Sequence, residues 1–174
     1  MQVNYLPSML ATDLFGEWFS GEAVLALEDS EMEMNGSWLK KAFADDQHVA
    51  VRFEDKKLAS YFWFSEKPVH TSANYTASVS PDYLYGYKAY TCPDMRGRGL
   101  LLDLIKVASH QAYLLGKKGI ITHVEVDNLA SKRVHARAKA LVVGFHILFN
   151  IGYLKFTFNS PGCGRYGSCL LRRS

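Results

Sequence analysis

The spacing of apolar and polar positions changes period along the chain, and each change marks an element. Residues 9–19 and 37–44 carry apolar side chains at helical spacing, the second run through Trp38, Leu39, Ala42 and Phe43, with Asn35 or Ser37 placed to cap it. The period then shortens to that of strands. Residues 48–53 and 58–64 are two β-type runs separated by Glu54-Asp55-Lys56-Lys57, which is hairpin spacing with a charged turn. Residues 83–91 form another aromatic run, with Tyr83, Tyr85 and Tyr87 alternating.

Beyond that run the order becomes helix, strand, helix. Leu101, Leu104, Ile105, Ala108, Ala112 and Leu115 share one face of a helix that ends at Gly116, with Lys117 and Lys118 at its negative end. Residues 120–126 are a β-branched strand, and residues 129–140, rich in Ala, Lys and Arg, continue as a helix. Residues 142–149 and 153–158 read as closing strands, and 159–164 as a Pro/Gly loop. Antiparallel strands followed by a strand–helix–strand–helix unit predict an α/β (α+β) fold with a mixed, mostly antiparallel central sheet flanked by helices.

Composition narrows this picture. At 174 residues, with 48% hydrophobic and 21% charged residues, the chain has the makeup of one globular domain rather than a disordered segment. No repeat or linker divides it. Within that domain, residues 1–47 form an N-terminal part, 48–91 the antiparallel strands, 92–140 a binding core, and 141–174 the closing strands and tail. The net charge of +3 argues against a nucleic-acid partner, which calls for a concentrated basic stripe. Asn4, Pro7, Asp13 and Glu17 interrupt any secretory signal, and no apolar run is long enough for a membrane span. Cys92, Cys163 and Cys169 form no C-x-x-C pair, and the histidines show no ligand spacing, so neither a zinc ribbon nor any other metal site is expected. A cytoplasmic, soluble protein is the expectation.

The chemistry concentrates in Tyr90-Thr91-Cys92-Pro93-Asp94-Met95-Arg96-Gly97-Arg98-Gly99-Leu100. A strand ends at a proline, a glycine-rich basic loop follows, and a helix opens from it. Glycines let successive N–H groups turn toward one centre, and a first helical turn has N–H groups without intrahelical partners at its electropositive end. With Arg96 and Arg98 beside them, these groups predict an anion site, most simply for phosphate or pyrophosphate. The alternative is a basic surface turn that only caps the helix. Neither a Walker loop nor a complete dinucleotide fingerprint is present.

The segment resembles the signature R/Q-x-x-G-x-G/A of the GNAT superfamily of CoA-dependent N-acyltransferases. Arg96-x-x-Gly99 matches it, and Thr91-Cys92-Pro93-Asp94-Met95 matches the lead-in; Val124, Asn128, Ser131 and His135 continue the likeness. Motif-level similarity covers residues 90–135, and the order of elements is similar over 48–158. Leu101 departs from the small residue usual at the last motif position. Lys139-Ala140 stands where many members have Gly-Phe, so Gly144-Phe145 is assigned to the next strand.

The resemblance implies that acetyl-CoA is the co-substrate and lies between two splayed strands. It implies that backbone groups of Tyr90, Thr91 and Cys92 hold the pantetheine arm, that Arg96, Gly97, Arg98, Gly99, Leu100 and Leu101 hold the pyrophosphate, and that Asn128 both caps a helix and touches the cofactor arm. The family places a general acid about seven residues beyond this Asn, which here is His135. Histidine titrates near neutrality and suits the role, while Lys132, Arg133 and Arg137 would disfavour its charged form. Glu125, on the strand face shared with His123, is the first candidate base, ahead of Asp82, Tyr85 and Tyr87. The implied reaction is direct transfer of an acetyl group to a primary amine of a small molecule or peptide. A longer-chain N-acyltransferase and a non-catalytic CoA-binding module are the alternatives. Many relatives self-associate, which leaves a homodimer open, and no surface signature in the sequence decides it. The aromatic run Tyr61-Phe62-Trp63-Phe64 fits core packing with fewer assumptions than an acceptor pocket.

Overall fold

The computed structural model describes residues 2–5, 15–28, 34–71, 75–151 and 154–172. Its main sheet has seven strands: β1 (Gln2–Tyr5), β2 (Glu17–Phe19), β3 (His48–Glu54), β4 (Lys57–Ser65), β7 (Tyr83–Thr91), β8 (Gly119–His123) and β9 (Leu141–Gly144). They lie in the order β2–β3–β4–β7–β8–β1–β9. Strands β5 (Val69–His70), β6 (Tyr75–Ser78) and β12 (Cys169–Arg172) form a second, smaller sheet, and β10 (His146–Ile151) with β11 (Leu154–Asn159) forms a hairpin. Every pairing is antiparallel except β7 with β8. The mixed sheet expected from the sequence is therefore present.

The β3–β4 hairpin turns on Asp55 and Lys56, both with positive φ (50° and 65°), the geometry whose twist matches two antiparallel strands. Its strands are buried on both faces, and this explains the continuous aromatic run. Phe62 and Phe64 pack with Ala50 under helix α2 (Leu100–Leu114), whereas Tyr61 and Trp63 pack with Val49 and Val51 under helix α1 (Gly36–Ala44). Asn35 caps α1, its Oδ1 accepting the N–H of Trp38 at 2.9 Å. Helix α3 (Leu129–Arg137) sits on the α2 side through Val134. The small sheet covers the opposite face at Tyr85, beside Val69, Ala77 and Leu170.

Four expectations change. Of the helix expected over 9–19, residues 9–14 lie outside the described residues, and residues 17–19 form β2. Helix α3 stops at Arg137 rather than at residue 140, because Lys139 takes a left-handed φ of 56°. The run 142–149 is divided at Phe145: Ser160 Oγ accepts the Phe145 N–H, and the Phe145 carbonyl accepts the Ser160 N–H, both at 3.0 Å. Only β9 joins the main sheet, and β1 fills the place between it and β8. Gly144 ends β9, in keeping with its assignment to a strand, and the loop at 159–164 contains a short helix, α4 (Pro161–Gly164). No helix among the described residues is long and apolar enough to cross a membrane.

Candidate active site

Strands β7 and β8 begin as a parallel pair and then part. Their register runs from Tyr83↔Gly119 to Gly86↔Thr122 and ends there, while β7 continues to Thr91. At the same level β7 carries a bulge: Trp63 faces Lys88 and Phe64 faces Gly86, leaving Tyr87 as the extra residue. A bulge bends its strand and sharpens the twist, so the two strands open into a wedge just beyond Gly86. Gly86 itself tolerates no side chain, since a Cβ would lie 2.7 Å from the Phe62 ring.

The wedge leads into a cavity of about 500 Å³ on the α2 side. Its walls are Ala89, Tyr90 and Thr91 of β7, the loop through Arg96, Gly97 and Gly99, the first turn of α2, and one face of α3. Gly97 and Gly99 hold left-handed φ values of 81° and 85°, and the space where their Cβ atoms would be is open. These glycines are thus required by backbone angle rather than by crowding. The first α-helical bond of α2 runs from Asp103 N–H to the Gly99 carbonyl, so the N–H groups of Leu100, Leu101 and Leu102, all at the cavity wall, precede it. The Arg96 Nε donates to the Thr91 carbonyl at 3.1 Å, holding the guanidinium against the end of β7. Arg96 and Arg137 both line the cavity, and no carboxylate does so among the described residues. The basic loop is therefore part of a concave, electropositive site, which a surface turn would not be.

Asn128 lies where the sequence suggested. Its Oδ1 accepts the Ser131 N–H at 2.9 Å, capping α3, and the residue lines the cavity. Other expected residues are placed differently. The Cys92 N–H donates to the Ala59 carbonyl at 2.9 Å, and Ser60 Oγ donates to the Tyr90 carbonyl at 2.9 Å. By antiparallel alternation, Tyr90 and Cys92 thus direct their peptide groups at β4, and Ala89 and Thr91 direct theirs into the wedge. The Cys92 side chain packs with the α1-side core. Arg98 is not among the lining residues. Neither is Glu125: β8 ends at His123, which leaves Glu125 exposed in the following turn instead of inside a strand. His135 is buried, does not line the cavity, and has its pKa lowered to about 4 by burial. Burial therefore disfavours the imidazolium, the form an acid would use.

Several lining residues are not signalled as site residues by the sequence, Ala89, Leu102 and Arg137 among them. Ala89 has no chemical signature. Arg137 had one: Ser131, Val134 and Arg137 recur at a spacing of three, which puts them on the α3 face that lines the cavity, one step round from His135.

On the other face of the sheet a smaller cleft of about 220 Å³ lies between α1 and the β4–β5 connection, with Asp45, Gln47, His70 and Tyr87 in its wall. Tyr87 Oη donates to Gln47 Oε1 at 2.5 Å. The bulge residue thus faces one cleft while the strand it bends opens the other.

A family model described as acetyltransferase (GNAT) family matches residues 12–139. A comparison with curated protein sequences finds no match. Among solved structures, aminoglycoside N-acetyltransferase AAC(6')-Iy, in complex with the bisubstrate analogue CoA-S-monomethyl-acetylneamine, is similar with a TM-score of 0.56 at 13% identity, over 78% of this chain and 97% of that one. A GNAT-family acetyltransferase from Colwellia psychrerythraea gives 0.54 at 14% identity, over 80% of this chain and 52% of that one. An aminoglycoside acetyltransferase from an uncultured soil metagenomic sample gives 0.52 at 12% identity, over 83% and 99%. At such identities the likeness is one of fold.

Proposed function

The chain belongs to the acetyltransferase (GNAT) family, and from that premise we propose that it transfers an acetyl group from acetyl-CoA to a primary amine of a small molecule. The observation that carries this reading is the cavity at the opening of β7 and β8, walled by the first turn of α2 and by Arg96 and Arg137 without an opposing carboxylate. The diphosphate of CoA rests on the N–H groups of Leu100, Leu101 and Leu102 and the left-handed loop at Gly97 and Gly99, with Arg96 and Arg137 as counter-charges and Arg98 at the rim. The pantetheine arm runs along β7 and pairs with the wedge-facing peptide groups of Ala89 and Thr91, as an added strand would. Asn128 flanks it from α3. The co-substrate supplies the activated thioester, and the chain supplies position and electrostatics.

The acceptor approaches from the opposite cleft, where Gln47, His70 and Tyr87 offer hydrogen bonds for a polar body, beside Asp45, which is paired with Lys41 at 2.7 Å, and Lys67. Its volume of about 220 Å³ favours a small acceptor or one end of a larger one. Two structural neighbours are aminoglycoside acetyltransferases, so amino sugars belong first in any panel. The test is thiol release from acetyl-CoA with amino sugars, polyamines, amino acids and short peptides. Turnover with one class supports the reading, and binding of acetyl-CoA without turnover on any amine overturns it in favour of a CoA-binding module. Exposed apolar side chains on β9 to β11, among them Val142, Phe145, Phe156 and Phe158, favour a homodimer through that face. Light scattering tests this: a monomer at micromolar concentration excludes it.

A further inference from the structure

Five side chains, from the main sheet, the hairpin and the residue before β12, form one hydrogen-bonded file. Tyr85 Oη lies 2.9 Å from His123 Nδ1. Ser168 Oγ lies 3.5 Å from His123 Nε2 and 3.5 Å from His146 Nε2. His146 Nδ1 lies 2.5 Å from Asn159 Oδ1. The two imidazoles meet edge to face, with centroids 4.6 Å apart. Tyr85 and His123 belong to the main sheet, His146 and Asn159 to the hairpin, and Ser168 immediately precedes β12 of the small sheet.

The direction of every bond in this file follows from its last member. Asn159 Oδ1 also accepts the Leu170 N–H at 3.4 Å, which identifies that atom as the amide oxygen, an acceptor only. His146 Nδ1 therefore carries the hydrogen. In a neutral imidazole the other nitrogen then accepts, so Ser168 donates to His146 Nε2. Ser168 has one proton to give, so it accepts from His123 Nε2–H. His123 Nδ1 is left as an acceptor, and Tyr85 donates to it. Burial lowers the pKa of both rings, that of His123 to about 3, which keeps them neutral and the assignment unique.

The inner end of this file stands at the wedge. Gly86↔Thr122 is the last parallel pair; Tyr85 precedes it on β7, and His123 follows it on β8. Tyr85 also stacks on Tyr87, which lines the acceptor-side cleft, at 6.1 Å between centroids. The outer end, His146, is only half-buried.

We propose that Tyr85, His123, Ser168 and His146 form a proton wire, with the resting polarity just derived, that removes the proton released when the acceptor amine attacks the thioester. This rests on the acetyltransferase reading above. As the amine nitrogen bonds to the carbonyl carbon, its surplus proton passes to Tyr85 Oη. Tyr85's own proton moves to His123 Nδ1, the His123 Nε2 proton to Ser168, and the Ser168 proton to His146 Nε2. His146, now an imidazolium held by Asn159, loses its Nε2 proton to water. His123 is left as the Nδ1–H tautomer, and between turnovers it takes one proton at Nε2 from water through Ser168 and gives up the Nδ1 proton through Tyr85, which restores the resting file. The departing thiolate keeps the electron pair of the broken C–S bond and takes one proton from water, so protons balance over the cycle. This gives work to two histidines that show no metal-ligand spacing in the sequence.

Two measurements on the full chain test the wire. Nitrogen-15 spectra of labelled histidine in the unsubstituted protein should show His123 as the Nε2–H tautomer and His146 as the Nδ1–H tautomer; the opposite tautomer at either ring overturns the polarity. Ser168→Ala cuts the file at its two longest links while leaving Tyr85 and His123 in contact. It should lower kcat for thiol release roughly tenfold to a hundredfold with KM for acetyl-CoA unchanged, and Ser168→Thr, which restores a hydroxyl, should recover most of the loss. Ser168→Ala with unchanged kcat overturns the role in proton removal. If the unsubstituted chain turns over no amine, the acetyltransferase reading fails and proton removal with it, while the tautomers still decide the polarity of the file.

Discussion

Gly116 and Lys139 hold equivalent positions at the ends of α2 and α3. Each is left-handed, with φ of 69° and 56° respectively. Each is followed by a residue whose N–H reaches back into the last turn: Lys117 to the Ala112 carbonyl at 2.8 Å, and Ala140 to the His135 carbonyl at 3.0 Å. The two helices end in the same motif, one on the residue that enters this conformation without strain and one on a residue with a Cβ. Lys139→Gly should therefore stabilise the protein by about 1 kcal/mol, and Gly116→Ala should destabilise it by about as much. Urea midpoints measure both, and a lower midpoint for Lys139→Gly would refute the argument.

Arg137 is the clearest test of the proposed anion site, because it lines the cavity while Asn128 caps α3 at its other end. A charge-assisted bond to phosphate contributes about 1.5–3 kcal/mol. Arg137→Ala and Arg96→Ala should each weaken acetyl-CoA binding by roughly ten- to a hundredfold, with melting temperatures little changed. Arg98→Ala, outside the cavity wall, should have a smaller effect. Calorimetric titration at two salt concentrations checks this, and a loss confined to stability would return the loop to a merely structural role.

The sequence makes the central strands, both long helices and the basic loop legible because each is signalled locally: a period, a cap, a glycine at a helix end. Gly116 and Asn128 are examples in which one residue type fixes the local geometry. What is not legible depends on distant partners. Nothing in residues 2–5 announces that they occupy the place beside β8, and nothing in the run after residue 141 announces the break at Phe145, which Ser160 imposes from fifteen positions away. The same holds within the site. Spacing from Asn128 pointed to His135, whereas a helix turns about 100° per residue, and the face that reaches the cavity carries Ser131, Val134 and Arg137. The β-branched run places Glu125 in a strand, and the parting of β7 and β8 ends that strand at His123, two residues before it.

His135 also makes stability depend on pH. Burial holds its pKa at about 4, against 6.5 in the unfolded chain. Between these values the unfolded state binds a proton that the folded state refuses, so stability is lost as pH falls below about 6.5. By about pH 5 the loss from this group is on the order of 2 kcal/mol, and His123, whose pKa is lowered to about 3, adds a loss of the same sign. Denaturant titrations near pH 7.5 and pH 5 should show the difference, and His135→Gln should reduce it by about one such share. The same variant should release thiol at a near-normal rate. A large fall in kcat with intact acetyl-CoA binding would instead restore His135 as the acid.

Tyr87 lines the smaller cleft and not the larger cavity, so it tests the two proposed roles separately. Tyr87→Phe keeps the ring, and with it the stacking on Tyr85 and the bulge that opens the wedge, while removing the bond to Gln47. The cleft loses the Tyr87 hydroxyl as a partner for a polar acceptor, and Gln47 loses the bond that orients its amide, while the cavity on the other face loses nothing. KM for the amine should therefore rise several-fold, on the scale of one hydrogen bond of about 1 kcal/mol, with the Kd for acetyl-CoA unchanged. Steady-state kinetics with the amine varied at saturating acetyl-CoA, alongside direct titration of acetyl-CoA, reads the two effects separately. A rise in the Kd for acetyl-CoA with unchanged KM for the amine would place the acceptor elsewhere, since the hydroxyl would then be acting through the shape of β7 rather than through the cleft it faces.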